Sequence, residues 1–237
     1  MERSYQEVVM VSGANRGIGG AIARLLHDAG YHLSLGVRDP KAREHMKDSF
    51  DPDRCLIAPY EAGDRQSPAD WVAATIDRFG RLDGLVNTAG VLRHHDFRDD
   101  DETALDQMWE INVKGPMRLM RAAYPHLKES GAGRIVNLAS LSGLRAVGAS
   151  SGYAMSKFAV VALTDSARQS GWSDGVRATA ICPGYVNTDM VAEVQVPAKA
   201  DMIQPDEIAR VVKMVIEMPN NASIARVPIN CRNEPLY

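Results

Sequence analysis

The chain has 237 residues, of which 27 are lysine or arginine and 30 are aspartate or glutamate, for a net charge of -3. This near balance, without a basic stripe, argues against nucleic acids and anionic membrane surfaces as partners. Three cysteines without a CxxC motif indicate reduced thiols, neither a disulfide framework nor a metal site. The start MERSYQEVVMVSG and the lack of an apolar run of ~20 residues predict a cytoplasmic protein without a signal peptide.

Short apolar runs alternate along the chain with longer segments of helical periodicity. The predicted strands are 8–12, 32–36, 55–58, 84–87, 134–139, 176–182 and 223–229, and the predicted helices are 17–29, 67–79, 103–113, 116–130, 152–170 and 205–217. Alternation of helices with strands rich in Val, Ile and Leu is typical of a parallel sheet covered on both faces. We therefore predict a three-layer α/β fold, a doubly wound parallel sheet of about seven strands, forming one Rossmann-type domain over 1–237.

A glycine-rich segment, SGANRGIGG (12–20), lies between the first predicted strand and the first predicted helix. Gly13, Gly17 and Gly19 carry no side chain where the chain turns, so backbone N–H groups at the helix N-terminus can face a pyrophosphate. An ordinary glycine-rich turn is the alternative, but this position after the first strand is the one that a nucleotide-binding fold requires. We expect a dinucleotide cofactor here.

The end of the second predicted strand, LSLGVRDP, indicates which dinucleotide binds. NAD calls for an acidic side chain at this point, whereas Arg38 stands here and Asp39 with Pro40 predicts the start of a helix. Arg38, together with Arg16 in the glycine loop, can hold a 2′-phosphate through charge-assisted hydrogen bonds. Two solvated surface arginines are the alternative. We predict NADP(H) as the cofactor in preference to NAD(H).

Three polar residues in the second half of the chain suggest an acid–base site. Tyr153 and Lys157 lie four positions apart, hence on one face of a predicted helix, and Ser140 comes thirteen positions before Tyr153. A tyrosine has a pKa of about 10 unless a nearby cation stabilises its phenolate. Lys157 can be that cation, and the Ser140 hydroxyl can hold a substrate oxygen against the phenol.

With these motifs the chain closely resembles the short-chain dehydrogenase/reductase superfamily, in its single-domain branch. The resemblance rests on five motifs that occur in order along nearly the whole chain: SGANRGIG (12–19), NTAG (87–90), INVKG (111–115), the set Ser140, Tyr153 and Lys157, and CPGYVNT (182–188). Five motifs in this order are far more specific than any one of them.

The resemblance implies a role for each of four catalytic residues. Tyr153 would donate a proton to a carbonyl oxygen, or accept one in the oxidative direction, while Ser140 would orient that oxygen. Lys157 would lower the pKa of Tyr153 and bind the nicotinamide ribose, and Asn112 would hold a water that connects Lys157 to solvent. In a purely structural interpretation, Asn112 only caps or kinks its helix and Ser140 only ends a strand.

The resemblance also implies cofactor contacts along the chain, from the glycine loop to the segment around the nicotinamide. The expected cofactor-binding residues are Gly13, Asn15, Arg16, Gly17, Ile18, Gly19, Arg38, Glu61, Ala62, Asn87, Ala89, Gly90, Tyr153, Lys157, Pro183, Gly184, Val186 and Thr188. The sequence departs from the family pattern where Thr88 replaces a second asparagine, where Glu61 replaces an adenine-contacting aspartate, and at the C-terminus, which lacks the usual glycine pair.

Four further segments lead to expectations. Residues 185–205 predict a mobile lid over a small or moderately apolar substrate, and helices near 103–130 resemble those that build a homodimer or homotetramer in the family. The segment HHD (94–96) predicts a solvated loop that binds no metal. The segment DDDET (99–103) predicts an acidic helix start.

The predicted function is that of an NADP(H)-dependent oxidoreductase that interconverts a carbonyl and an alcohol, with Tyr153 handling the proton. A keto-acyl thioester, a small ketone or aldehyde, a sugar and a steroid all remain open as substrates. An epimerase or dehydratase is disfavoured because residues 190–237 leave no room for the longer C-terminal substrate domain of those relatives. A non-catalytic dinucleotide-binding regulator remains open as a rival function, and so does an NAD-preferring alcohol dehydrogenase.

Overall fold

A computed structural model describes residues 7–146, 150–192 and 197–233 of the chain. Its strands are β1 (Val8–Ser12), β2 (His32–Val37), β3 (Cys55–Pro59), β4 (Gly84–Asn87), β5 (Arg134–Leu138), β6 (Arg177–Pro183) and β7 (Arg226–Ile229). Its α-helices are α1 (Gly17–Asp28), α2 (Pro40–Met46), α3 (Ser67–Phe79), α4 (Thr103–Met108), α5 (Gly115–Glu129), α6 (Ser151–Ser170) and α7 (Pro205–Glu217). A π-helix (Trp109–Lys114) joins α4 to α5.

The strands form one parallel sheet in the order β3-β2-β1-β4-β5-β6-β7. The chain runs outward from β1 to β3, then returns to the other side of β1 with β4. In doubly wound sheets this reversal opens a crevice at the carboxyl ends of the two central strands. Here those ends are the glycine loop after β1 and the NTAG motif after β4, which the register of the two strands brings side by side. The fold therefore confirms the predicted doubly wound parallel sheet.

Helices cover both faces of the sheet, and β1 shows why. Its alternate residues Val9 and Val11 belong to one buried cluster, which includes residues of α1 and α7. Val8 and Met10 belong to a second buried cluster, which includes residues of α3 and α5. Because alternate side chains of a strand point to opposite faces, an apolar strand can be buried on both sides only within a three-layer fold.

The observed helices differ from the predicted ones at two places. The helix predicted over 103–113 is α4 followed by the π-helix, a change in winding that no hydrophobic periodicity predicts. The sequence indicates only the start of α2, and Asp39 does cap it by accepting a hydrogen bond from the Lys41 N–H at 2.9 Å. The acidic start predicted at 99–103 is also present, since Asp101 accepts from the Thr103 N–H at 2.9 Å. Within the described residues no helix is both long and apolar enough to cross a membrane.

Candidate active site

The glycine loop packs so closely against its neighbours that side chains cannot be accommodated. Gly13 and Gly17 have positive φ angles of 65° and 53°, a conformation that glycine adopts without strain. A methyl group added to Gly19 would place its carbon 2.4 Å from the carbonyl oxygen of Gly13. The backbone at the N-terminus of α1 is thereby left bare, which is the arrangement that pyrophosphate binding requires. The loop thus fits a dinucleotide cofactor.

Thr88 explains one departure from the family pattern. Its hydroxyl donates a hydrogen bond to the main-chain oxygen of Ser12, at the end of β1. In return, the Ser12 hydroxyl accepts from the backbone N–H groups of Thr88 and Ala89 at 3.0 and 3.1 Å. A threonine at this position therefore ties the NTAG segment to the glycine loop.

The two arginines predicted to hold a 2′-phosphate both face carboxylates. Arg38 lies 3.6 Å from Glu61, measured from Nε to Oε2, and Arg16 donates to Asp189 at 2.8 Å. All four side chains are exposed to solvent, with exposed fractions of 72%/42% and 70%/73% for the two pairs. Such pairs contribute little to stability, so an incoming phosphate can compete for either arginine. Glu61 follows β3 and lies beside Arg38, and its contact with an adenine stays a prediction.

Arg43 is a further cation at this end, which the sequence motifs did not indicate. Its guanidinium donates to the main-chain oxygens of Val37 and Arg38 at 3.1 and 3.0 Å. It therefore lies directly beside the end of β2, where the 2′-substituent of an adenosine ribose binds in this fold. A prediction of helix α2 from the sequence would have pointed to Arg43, because a residue in the first turns of that helix lies close to the end of β2.

Ser140, Tyr153 and Lys157 lie together at the carboxyl edge of the sheet. Ser140 follows β5 and caps a short 3-10 helix by accepting from the Ser142 N–H at 3.1 Å. Its hydroxyl also lies close enough to Tyr153, in the first turn of α6, to lower the pKa of that phenol. Lys157 lies one turn later, with Nζ 5.6 Å from the centroid of the Tyr153 ring, and donates to the oxygen of Leu138 at 2.9 Å.

Burial determines the protonation of this set. It raises the pKa of Tyr153 to about 12, against the opposing effect of the nearby Ser140 hydroxyl. It lowers the pKa of Lys157 to about 8. At neutral pH, Tyr153 is therefore a neutral phenol that can donate a proton, and Lys157 is a cation close to its titration range. A lowering of the Tyr153 pKa by Lys157 is not seen in this geometry and stays a prediction.

Asn112 lies in the π-helix and connects three parts of the site. Its side-chain oxygen accepts from the Val91 N–H at 2.8 Å, while its nitrogen donates to the Val91 oxygen at 2.9 Å and to Ser156 at 3.1 Å. It thus joins the segment after the NTAG motif to α6. A methyl group on Gly90 would come within 3.2 Å of Asn112 and 3.9 Å of Lys157 Nζ. Short π-helical turns are frequent at functional sites, but the water-holding role of Asn112 stays a prediction.

The segment after β6 closes the site on the opposite side. A methyl group on Gly17 would lie 3.3 Å from Thr188, so this segment faces the glycine loop directly. Val186 forms a parallel bridge with Ile203, which fixes the two ends of the predicted lid to each other. An open cavity of ≈ 470 Å³ lies between Arg16, Thr188 and the start of α7. Residues 193–196 of the lid lie outside the described part, and the lid stays a prediction.

The remaining predicted cofactor residues lie along the same edge of the sheet. They follow β1 or begin α1 (Asn15, Ile18), follow β3 (Ala62), end or follow β4 (Asn87, Ala89, Gly90) and end or follow β6 (Pro183, Gly184). Asn87 is buried, and its side-chain oxygen has no hydrogen-bond partner within the described part of the chain, while its nitrogen donates to Asn137 at 2.7 Å. An orphaned acceptor here fits a donor from a bound cofactor or water.

The prediction of a solvated loop at 94–96 was wrong for two of its three residues. His94 is exposed, but His95 and Asp96 are buried. Asp96 tolerates burial because Arg98 donates to both of its carboxylate oxygens, at 2.8 and 3.1 Å, and lowers its pKa to about 2. Among the described residues, no cluster of His, Cys, Asp and Glu could hold a metal ion.

Comparison with known proteins gave matches over nearly the whole chain. The family model for short chain dehydrogenase matches residues 7–217. The chain is 40% identical over 240 residues to an agropine synthesis reductase of Rhizobium rhizogenes, covering 100% of this chain and 55% of the relative. The chain thus spans about half the length of that relative.

Two solved structures are similar over nearly their whole length. Levodione reductase has a TM-score of 0.87 at 29% identity, covering 96% of this chain and 97% of that one. An alcohol dehydrogenase from the archaeon Thermococcus sibiricus, in complex with 5-hydroxy-NADP, has a TM-score of 0.86 at 27% identity, covering 98% and 99%.

Proposed function

The chain belongs to the short-chain dehydrogenase family of oxidoreductases, and we propose that it interconverts a carbonyl group and an alcohol with NADP(H) as the cofactor. The observation that carries this proposal is the grouping of Ser140, Tyr153 and Lys157 beside the glycine loop at one edge of the sheet. A proton donor next to a bare helix N-terminus suits a reaction in which a dinucleotide supplies hydride and the protein supplies the proton.

Each residue of the set has a defined task in the proposed reduction. The Ser140 hydroxyl, which lies close to Tyr153, holds the substrate oxygen against the phenol. The nicotinamide supplies a hydride to the carbonyl carbon when it is bound. Tyr153 gives its proton to the carbonyl oxygen, so that the product is a neutral alcohol. The Lys157 cation stabilises the phenolate that remains until solvent returns the proton. In the oxidative direction every transfer is reversed.

The choice of NADP(H) rests on charge at the end of β2. Arg38 stands where NAD binding calls for an acid, and the nearby Asp39 is engaged in capping α2. Arg43 adds a second guanidinium at the same strand end. An alcohol dehydrogenase of similar fold, that of Thermococcus sibiricus, binds an NADP derivative. These features favour a 2′-phosphate over a free 2′-hydroxyl.

An NAD-preferring alcohol dehydrogenase is the second candidate, and one observation favours it. Glu61 lies beside Arg38, so part of the positive charge meant for a 2′-phosphate is already balanced. Dissociation constants for NADPH and NADH, measured for the wild type and for Arg38→Asp, separate the two candidates. We expect the wild type to bind NADPH more tightly and the variant to lose that preference, with Arg65→Asp as an exposed control. An unchanged preference in Arg38→Asp would overturn the NADP(H) assignment.

Reduction is the direction that we propose, because two of the similar proteins are reductases by name. Turnover of NADPH with a panel of diketones, aldehydes, keto-acids and sugars tests it. Consumption of NADPH with at least one carbonyl is expected. Tight NADPH binding without turnover of any member would favour a dinucleotide-binding regulator.

We also propose a homodimer or homotetramer. Apolar side chains remain exposed on the π-helix and on α6, which pack against each other: Trp109, Met155 and Phe158. Exposed apolar side chains on adjoining helices mark contact surfaces between chains. A monomer in sedimentation at micromolar concentration would contradict this assignment.

A further inference from the structure

His95 connects the loop after β4 to the helix that carries Tyr153. Its main-chain oxygen accepts one hydrogen bond from the backbone N–H of Gly152 and another from the hydroxyl of Ser151, both at 3.2 Å. These two donors are the residues directly before Tyr153 in the first turn of α6. The loop is therefore bonded to the helix at the point where the proton donor begins.

The imidazole of His95 packs against the same turn. A methyl group added to Gly152 would place its carbon 3.1 Å from Cβ and 3.2 Å from Nδ1 of His95, and 2.8 Å from Cε of Met108. A methyl group would therefore fit here only if its neighbours moved by a few tenths of an ångström. The Met108 side chain is flexible and can move, whereas Cβ of His95 moves only with the loop backbone, which holds the helix. His95 is thus the rigid side of the contact.

The same imidazole is buried although its ring nitrogens are polar. His95 is 6% exposed, and neither ring nitrogen has a hydrogen-bond partner among the residues that the structure describes. Burying a polar group without a partner costs free energy that an apolar side chain of similar size would not cost. Local violations of this kind are typical of residues retained for function.

On the basis of the proposed function, we infer that His95 is a positioning residue, which fixes the first turn of α6 and with it the Tyr153 hydroxyl next to Ser140. It does so through its main-chain oxygen and through the close contact of its side chain with Gly152. A displacement of about 1 Å at a reacting group can lower turnover about 10²-fold. Cofactor affinity changes little, because most of the expected cofactor contacts, those of the glycine loop and of the end of β2, lie on other elements than α6.

The contact between His95 and Gly152 can be tested by adding a methyl group on the Gly152 side and removing the side chain on the His95 side. Gly152→Ala places a carbon 3.1 Å from Cβ of His95, and His95→Gly removes Cβ and the ring together. We expect Gly152→Ala to lower kcat about tenfold or more, and His95→Gly/Gly152→Ala to recover about threefold or more of that loss. KM and the NADPH dissociation constant stay within about twofold. His94→Gly, at the exposed neighbour, controls for the flexibility that a glycine adds.

Turnover is measured with NADPH and 2,3-butanedione, and the melting temperature shows whether each variant is folded. A second readout, the ¹⁹F chemical shift of 3-fluorotyrosine at position 153, requires no substrate. We expect Gly152→Ala to move this shift and the double variant to restore it. No recovery in the double variant, or an equal effect of His94→Gly, would overturn the inference. If the shift responds as expected but the wild type consumes no NADPH with any carbonyl, the proposed function fails and the positioning role stands.

Discussion

Lys157 is predicted to lower the stability of the fold while serving the site. Burial lowers its pKa from 10.5 to about 8, which corresponds to about 3 kcal/mol. At pH 7 the charged lysine therefore costs the native state about 3 kcal/mol. Lys157→Met removes that cost but leaves the Leu138 oxygen without its donor, which costs about 1–3 kcal/mol. We expect the variant to be as stable as the wild type, or up to about 2 kcal/mol more stable.

The sign of the pH dependence follows from the direction of the shift. Below pH 8, Lys157 is protonated in both the native and the unfolded state, so its full cost is present. Between pH 8 and pH 10.5 the native state loses the proton while the unfolded state keeps it. The unfolded state then binds more protons, so the wild type gains stability as pH rises through this window. The advantage of Lys157→Met over the wild type shrinks accordingly.

Urea unfolding of both proteins between pH 7 and pH 10 measures this difference, with Lys41→Met as a matched exposed control. The reasoning is refuted if Lys157→Met is less stable than the wild type by more than about 1 kcal/mol at pH 7. It is also refuted if the difference between the two does not change with pH.

Two further substitutions test the cofactor end of the site. Glu61→Gln removes the carboxylate 3.6 Å from Arg38, so NADPH is expected to bind about two- to fivefold more tightly while NADH binding is unchanged; weaker NADPH binding by fluorescence titration would count against the assignment. Gly19→Ala places a carbon 2.4 Å from the Gly13 oxygen, so loss of detectable dinucleotide binding and a lower melting temperature are expected. Gly63→Ala serves as the control, because its added carbon would lie no closer than 3.7 Å to the nearest atom. Dinucleotide binding by Gly19→Ala at the wild-type level would contradict the role of the glycine loop in binding the pyrophosphate.

The sheet could be predicted from the sequence because its strands are marked locally. β1 consists of five consecutive buried residues that lead directly into the glycine loop. A short apolar run that ends at a turn is the sequence signal of a strand buried on both faces. Tyr153 and Lys157 could be paired because helical spacing alone places them on one face. The motifs around Ser140 and Asn112 then indicated the same edge of the sheet.

The features that sequence could not predict depend on contacts between distant residues. The Arg16–Asp189 pair joins residues 173 positions apart, and no local pattern links them. Helix α2 has no buried residue, so it shows no apolar stripe. The burial of His95 results from its packing on Gly152, more than fifty positions away. Local sequence thus predicts the elements and the motifs, whereas charge pairing and burial emerge only from the tertiary structure.

The proton-donor role of Tyr153 is the central claim, and Tyr153→Phe tests it most directly. The substitution removes the hydroxyl near Ser140 and keeps the ring beside Lys157. With a carbonyl that the wild type reduces, we predict that kcat for NADPH oxidation falls about 10²-fold or more, while the NADPH dissociation constant stays within about threefold. Full turnover by Tyr153→Phe would contradict the account.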